Sequence, residues 1–138
     1  MGQVILIIDD DPISCLIHRR FTQKNHIAAD PLVFSNGQAA LNYLLSFYHH
    51  ENDYLILLDI NMPVMNGWEF LQEINKHYSV KNLYVFIVSS SIQASDRNKA
   101  QTLNYVVDFL EKPMKPADIG KINKVLKPGL YDQVPVCN

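Results

Sequence analysis

Five short apolar runs punctuate the chain, each followed by a polar break and then by apolar residues three or four apart. Such runs bounded by breakers suit buried strands, and the wider spacing suits amphipathic helices. Val4–Ile8 is the first run, apolar throughout and so placed centrally in a sheet. Asp11-Pro12 opens a helix along which Ile13, Leu16, Ile17 and Phe21 recur. Proline fits a first helical turn, where its missing N–H costs nothing. Thr22–Ala29 turns polar and loop-like. Pro31–Phe34 makes a short second strand near an edge, because proline cannot donate to a ladder. Ser35-Asn36-Gly37 caps a second helix with Ala40, Leu44, Phe47 and Tyr48 as its buried face. Tyr54–Leu58 is the third strand. After a loop with Pro63 and Asn66-Gly67, Phe70, Leu71, Ile74 and Tyr78 mark a third helix. Leu83–Val88 is the fourth strand, ending at Ser89-Ser90-Ser91. The next helix, from Ser95-Asp96 to about residue 103, has only Leu103 as a strong apolar anchor and is expected to be loosely held. Val106–Leu110 is the fifth strand, ending at Lys112-Pro113. Pro116 and Asp118 then open a last helix with Ile119, Ile122 and Leu126 inward, stopped by Pro128-Gly129.

Five alternations of strand and helix predict an α/β three-layer sandwich: a five-stranded parallel sheet with five helices. Right-handed crossovers put helices on both faces. The 138 residues suit one domain, and a chain of this size buries roughly 68–70% of its unfolded surface without covalent staples. A net charge of −2 with 12 scattered Lys and Arg gives no nucleic-acid footprint. Cys15 and Cys137 have no metal spacing and form no disulfide framework, so a reduced, cytoplasmic setting is expected. The first apolar run is too short for a secretory core or a membrane span. Leu6 stands where a myristoylation signal wants Ser or Thr, and Cys137 is misplaced for prenylation.

The chemistry gathers at strand ends. Asp59 closes the third run, and Asp9-Asp10-Asp11 close the first. Open α/β sheets bind ligands beyond the carboxyl ends of their strands. If these two strands are parallel neighbours, four carboxylates approach one crevice. That much charge wants a cation, and oxygen-only ligands suit Mg²⁺. Each acid also has a plainer reading as a helix cap, the reading preferred for Asp11.

Taken together, Asp9-Asp10, then Asp59 with Asn61-Met62-Pro63 and Asn66-Gly67, then Ser89, then Lys112-Pro113 resemble the receiver domain of two-component response regulators, a CheY-like fold, over roughly residues 3 to 127. The resemblance implies strand order 2-1-3-4-5. It implies that Asp59 accepts a phosphoryl group from a phosphohistidine of a sensor kinase or histidine phosphotransfer protein. It further implies that Asp10, Asp59 and the backbone carbonyl of Asn61 ligate Mg²⁺, with Asp9 acting through water. Lys112 and Ser89 would contact the phosphoryl group, with Ser90 and Ser91 standing beside Ser89 as neighbours. Phe109 sits where the family often places a switch aromatic, and plain core is its other reading. Asn104-Tyr105-Val106 departs from the small residues usual before the fifth strand.

The expectation is a stand-alone phosphoacceptor module, residues 1–127, with a tail at 128–138 and no output domain. It is expected to be no enzyme beyond its own phosphorylation and dephosphorylation. It would be a monomer or weak dimer, bind no nucleic acid or membrane, and signal to an unknown downstream protein or relay. An aspartyl-phosphate phosphatase is disfavoured because Asn61 stands where a second Asp is needed. A pseudo-receiver is disfavoured by the intact acidic set. A dinucleotide-binding domain fails because acids and proline, not glycines, follow the first strand.

Overall fold

In the computed structural model, residues 2–28, 30–77, 81–90 and 92–125 are described. The elements alternate as expected: β1 Gly2–Ile8, α1 Pro12–Lys24, β2 Leu32–Phe34, α2 Gly37–Phe47, β3 Asn52–Leu58, α3 Gly67–Asn75, β4 Leu83–Ser89, α4 Ala94–Ala100, β5 Val106–Glu111 and α5 Pro116–Asn123. All pairings are parallel, in the order β2-β1-β3-β4-β5. β2 is the short edge strand.

The sheet is dry on both faces, which is why its strands read as unbroken apolar runs. Leu6, Ile8, Ile56, Leu58, Val85 and Ile87 pack with Ala40, Leu41 and Leu44 of α2, with Phe70, Leu71 and Ile74 of α3, and with Ala100 of α4. The alternate residues Ile5, Ile7, Leu55, Leu57, Phe86 and Val88 pack with Cys15 of α1 and Ile122 of α5. Three helices therefore cover one face and two the other.

Two helices turn differently from their apolar spacing. In α1 the residues facing the sheet are Ser14, Cys15, His18 and Thr22. Ile13 is 69% exposed, and Leu16 and Ile17 are exposed too. In α2 Ala40 and Leu44 are buried as expected, joined by Leu41, but Phe47 is 67% exposed. Its ring leans on Tyr43, which leans on Phe34. Spacing identifies a stripe, and here small and polar residues sit closer to the sheet than the stripe does. α1 also runs three residues into the polar stretch Thr22–Ala29, to Lys24. Tyr78, Leu126 and the tail 128–138 with Cys137 lie outside the described residues.

The departure before β5 has a structural counterpart. Val85 pairs with Val106, but Phe86 pairs with Asp108, so Val107 is an extra residue in the ladder. Val85 N–H donates to the Tyr105 carbonyl at 2.9 Å just ahead of that bulge.

Candidate functional site

The ladder continues beyond the strands and ties the site residues together. Asp9 N–H donates to the Phe34 carbonyl, Asp59 N–H to the Ile8 carbonyl, and Lys112 N–H to the Ser89 carbonyl, at 2.8–3.0 Å. The ends of β2, β1 and β3 are thereby laced to one another, and the end of β5 to that of β4.

Asp9, Asp10 and Asp59 each offer a carboxylate oxygen, and these atoms lie within 4.8 Å of one another. Asp9 and Asp59 are buried, whereas Asp10 is exposed. Lys112 crosses from the end of β5: its Nζ is 2.7 Å from Asp9 Oδ2 and 3.5 Å from Asp59 Oδ2. Asp9 Oδ1 accepts from Asp11 N–H, and Asp59 Oδ1 accepts from Asn61 N–H at 3.3 Å. Asp11 keeps its cap role, its Oδ1 accepting Ile13 N–H at 3.0 Å.

Burial, with the Asp9 charge adding to it, pushes the Asp59 carboxyl above the usual carboxylate range against the pull of Lys112 and Asn61 N–H. Burial pulls the Lys112 ammonium down, but its hydrogen bond to Asp9 and the Asp59 charge outweigh that and hold it above the ordinary lysine value. Buried acids in mutual repulsion, offset by one ammonium, form a site that a hard cation would relieve. Three carboxylate oxygens offered together suit Mg²⁺ by chemistry.

The β3–α3 loop carries features that the sequence pattern had not marked. A Cβ on Gly67 would lie 2.6 Å from the Asp59 carbonyl oxygen and 2.7 Å from Ile60 Cα. Only glycine lets the start of α3 come this close beneath Asp59. The helix start is fixed by a reciprocal cap: Asn66 Oδ1 accepts Glu69 N–H, and Glu69 Oε1 accepts Asn66 N–H. Just before this cap Met65 N–H donates to the Pro63 carbonyl at 2.8 Å, closing a three-residue turn around Val64 at φ 69°. Val64 is 87% exposed, so nothing packs on its side chain to favour that backbone.

Ser89 is fully buried at the end of β4, in line with Ile87. Phe109 is 7% exposed and belongs to the core on the α4 side, with the Arg97 guanidinium 5.0 Å from its ring centroid. Trp68 packs at the start of α3. His49 and His50 stack just beyond the end of α2. No described helix is long and apolar enough to cross a membrane.

A family model for the response regulator receiver domain matches residues 5–124. Chemotaxis protein CheV2 of Helicobacter pylori is 30% identical over 103 residues, covering 74% of this chain but 32% of that protein. The chain thus spans about a third of that relative's length. Response regulator Rcp1 of Synechocystis is 28% identical over 123 residues, covering 87% of this chain and 83% of that protein. A two-component response regulator structure from Cytophaga hutchinsonii superposes with a TM-score of 0.80 at 30% identity, covering 90% of this chain and 96% of that one.

Proposed function

The chain belongs to the response regulator receiver family, and from that premise we propose that Asp59 is its phosphoacceptor in a two-component signalling step. The observation that carries the reading is the buried Asp59 carboxylate held among Asp9, Asp10 and the Lys112 ammonium at the laced strand ends. A carboxylate oxygen of Asp59 attacks the phosphorus of a phosphohistidine. The new O–P bond forms as the P–N bond breaks, and the imidazole leaves with a proton. Phosphoryl transfer needs positioning and charge neutralisation more than covalent assistance. Lys112 supplies a point charge to the transferred group, and Ser89 donates a hydroxyl hydrogen bond to it. Asp10, Asp59 and the Asn61 carbonyl would hold Mg²⁺, with Asp9 behind them through water. The ion would neutralise charge on the phosphoryl oxygens when bound. That Asp9 already serves as partner to Lys112 supports its indirect role.

The donor is a histidine kinase or histidine phosphotransfer protein. The exposed Ile13, Leu16 and Ile17 of α1 support this, because they form an apolar stripe on the helix that Asp11 starts, beside the acids. Residues 1–127 act as the receiver unit, with 128–138 as a tail. The module works in the cytoplasm as a monomer or weak dimer. Its output is an altered contact with a downstream protein or onward phosphoryl transfer.

The test is phosphate incorporation from a small phosphodonor with Mg²⁺. One acid-stable, base-labile phosphate per chain is expected, and none on Asp59→Asn. Undiminished labelling of that variant, or labelling that survives excess chelator, overturns the reading.

A further inference from the structure

We propose that Arg97 is a positioning residue that couples the site to α4 by stacking on Phe109, with the Glu111 carboxylate as its second seat. The proposal rests on Asp59 being the phosphoacceptor. It starts from how poorly α4 is held. Of its seven residues only Ala100 is buried. Two cations on the helix settle over two rings instead: Arg97 over Phe109 of β5 at 5.0 Å, and Lys99 over Trp68 of α3 at 5.3 Å. Contacts of this kind at exposed positions are worth roughly 0.5–1 kcal/mol each. The helix is therefore clasped lightly on each side.

One clasp leads to the site. β5 carries Phe109 and Glu111 and is followed at once by Lys112, whose ammonium bridges Asp9 and Asp59. Strand alternation puts Phe109 and Glu111 on one face, about 6.6 Å apart. Arg97, Phe109 and Glu111 border one cavity of about 210 Å³ with Asp118 and the cations Lys115 and Lys121, of which Lys121 already lies 3.9 Å from Asp108 Oδ2. Asp118 Oδ2 accepts Lys115 N–H at 2.7 Å in the α5 cap. Glu111 is exposed and forms no ion pair among the described residues. The guanidinium thus has an aromatic face at one seat and a carboxylate at the next. A phosphoryl group on Asp59 draws Lys112 away from Asp9 and shifts the end of β5 that bears Glu111. Arg97 changes seat, and α4 follows. Lysine substitutes only in part, because the flat, forked guanidinium suits both a ring face and a carboxylate whereas an ammonium is a point charge.

Trp68 is the only tryptophan and lies under a cation of the same helix, so its emission reports where α4 sits. The experiment loads wild type, Arg97→Ala, Arg97→Lys and Glu111→Gln with a small phosphodonor and Mg²⁺. It counts acid-stable phosphate and records Trp68 emission in the same samples. Wild type is expected to load and change emission. Arg97→Ala and Glu111→Gln are expected to load equally but lose at least two thirds of that change, and Arg97→Lys to lose more than half. Before loading, amide exchange over residues 94–103 should rise about two- to fivefold in Arg97→Ala, the factor one such contact is worth. The Arg97 side-chain protons should show a ring-current shift that Phe109→Leu removes. Loading without an emission change in wild type, a full change in Arg97→Ala, or no ring-current shift overturns the coupling alone. A variant that fails to load while wild type loads overturns the coupling alone; failure of wild type and all variants to load overturns the phosphoacceptor reading and the coupling with it.

Discussion

Val64 holds a backbone conformation that its own side chain disfavours. A β-branched residue at φ 69° is strained, and such positions cost of order 1–3 kcal/mol. Because the side chain is exposed, replacing it sacrifices no packing. Val64→Gly is expected to raise thermal stability by roughly 1 kcal/mol, read as a melting temperature several degrees higher; an unchanged or lower value would contradict strain at this turn. Gly67 is the reverse case. The atoms its Cβ would meet are backbone of Asp59 and Ile60, which can move only by moving the loop that presents the carboxylate. Gly67→Ala should cost about 2 kcal/mol, in the range of overpacked cores, and slow phosphate incorporation as well. Ala tolerated with full labelling would mean that the loop is not held by this approach. Asp59 itself adds a pH dependence. Its carboxyl is held above the ordinary range, so in the window between the two values the folded chain keeps a proton that the unfolded chain has lost. The stability that this group contributes therefore falls as pH rises through that window. Asp59→Asn should melt a few degrees higher than wild type at pH 7, with the difference closing as pH drops below the carboxylate range.

The elements differ in how readily sequence reveals them. β1, β3 and β4 are legible because both of their faces are buried, leaving apolar runs with no polar interruption. The site acids are legible because they stand where such runs end, whereas Lys112 follows the less regular fifth strand, which Asp108 interrupts. α1 was legible as a helix but not in its orientation. Its hydrophobic stripe points to solvent, and a side with Ser14, His18 and Thr22 meets the sheet. Periodicity is blind to that choice, since a stripe made for a partner and one made for the core have the same spacing. Phe47 misled in the same way at the end of α2. The pairing of Lys112 with Asp9 rather than with Asp59 alone depends on side-chain geometry across three strand ends, which no local pattern encodes. The orientation of α1 has a consequence for recognition. Ile13→Ser with Ile17→Ser should leave stability within about 0.5 kcal/mol, as for surface changes generally. Phosphorylation by a protein phosphohistidine donor should slow about tenfold while labelling by a small phosphodonor is unchanged. Equal loss with both donors would place the defect in the site and not in docking.

Across the whole molecule, stability and metal response are two views of one charge cluster. Asp9 and Asp59 are buried, and Lys112 is the internal cation that compensates them. Removing one partner of a buried pair typically costs 3–5 kcal/mol, because the charge left behind has no water to replace it. Lys112→Met is therefore expected to lose about 3 kcal/mol in metal-free buffer. A divalent cation binding only the folded chain adds stability as the logarithm of its excess, about 2.7 kcal/mol at a hundredfold excess over the dissociation constant. With Lys112 gone the acids have no competing cation, so Mg²⁺ should bind this variant more tightly and restore more stability than it adds to wild type. Asp10 separates the two effects, because it is exposed and outside the Lys112 pairs. Asp10→Ala should melt within a degree or two of wild type without Mg²⁺ and lose most of the metal-dependent rise. The measurement is a thermal melt of the three chains across a Mg²⁺ series. Should Lys112→Met gain less from Mg²⁺ than wild type does, the lysine and the ion do not compete for the same carboxylates. Should wild type melt at one temperature throughout the series, the acids do not form a metal site.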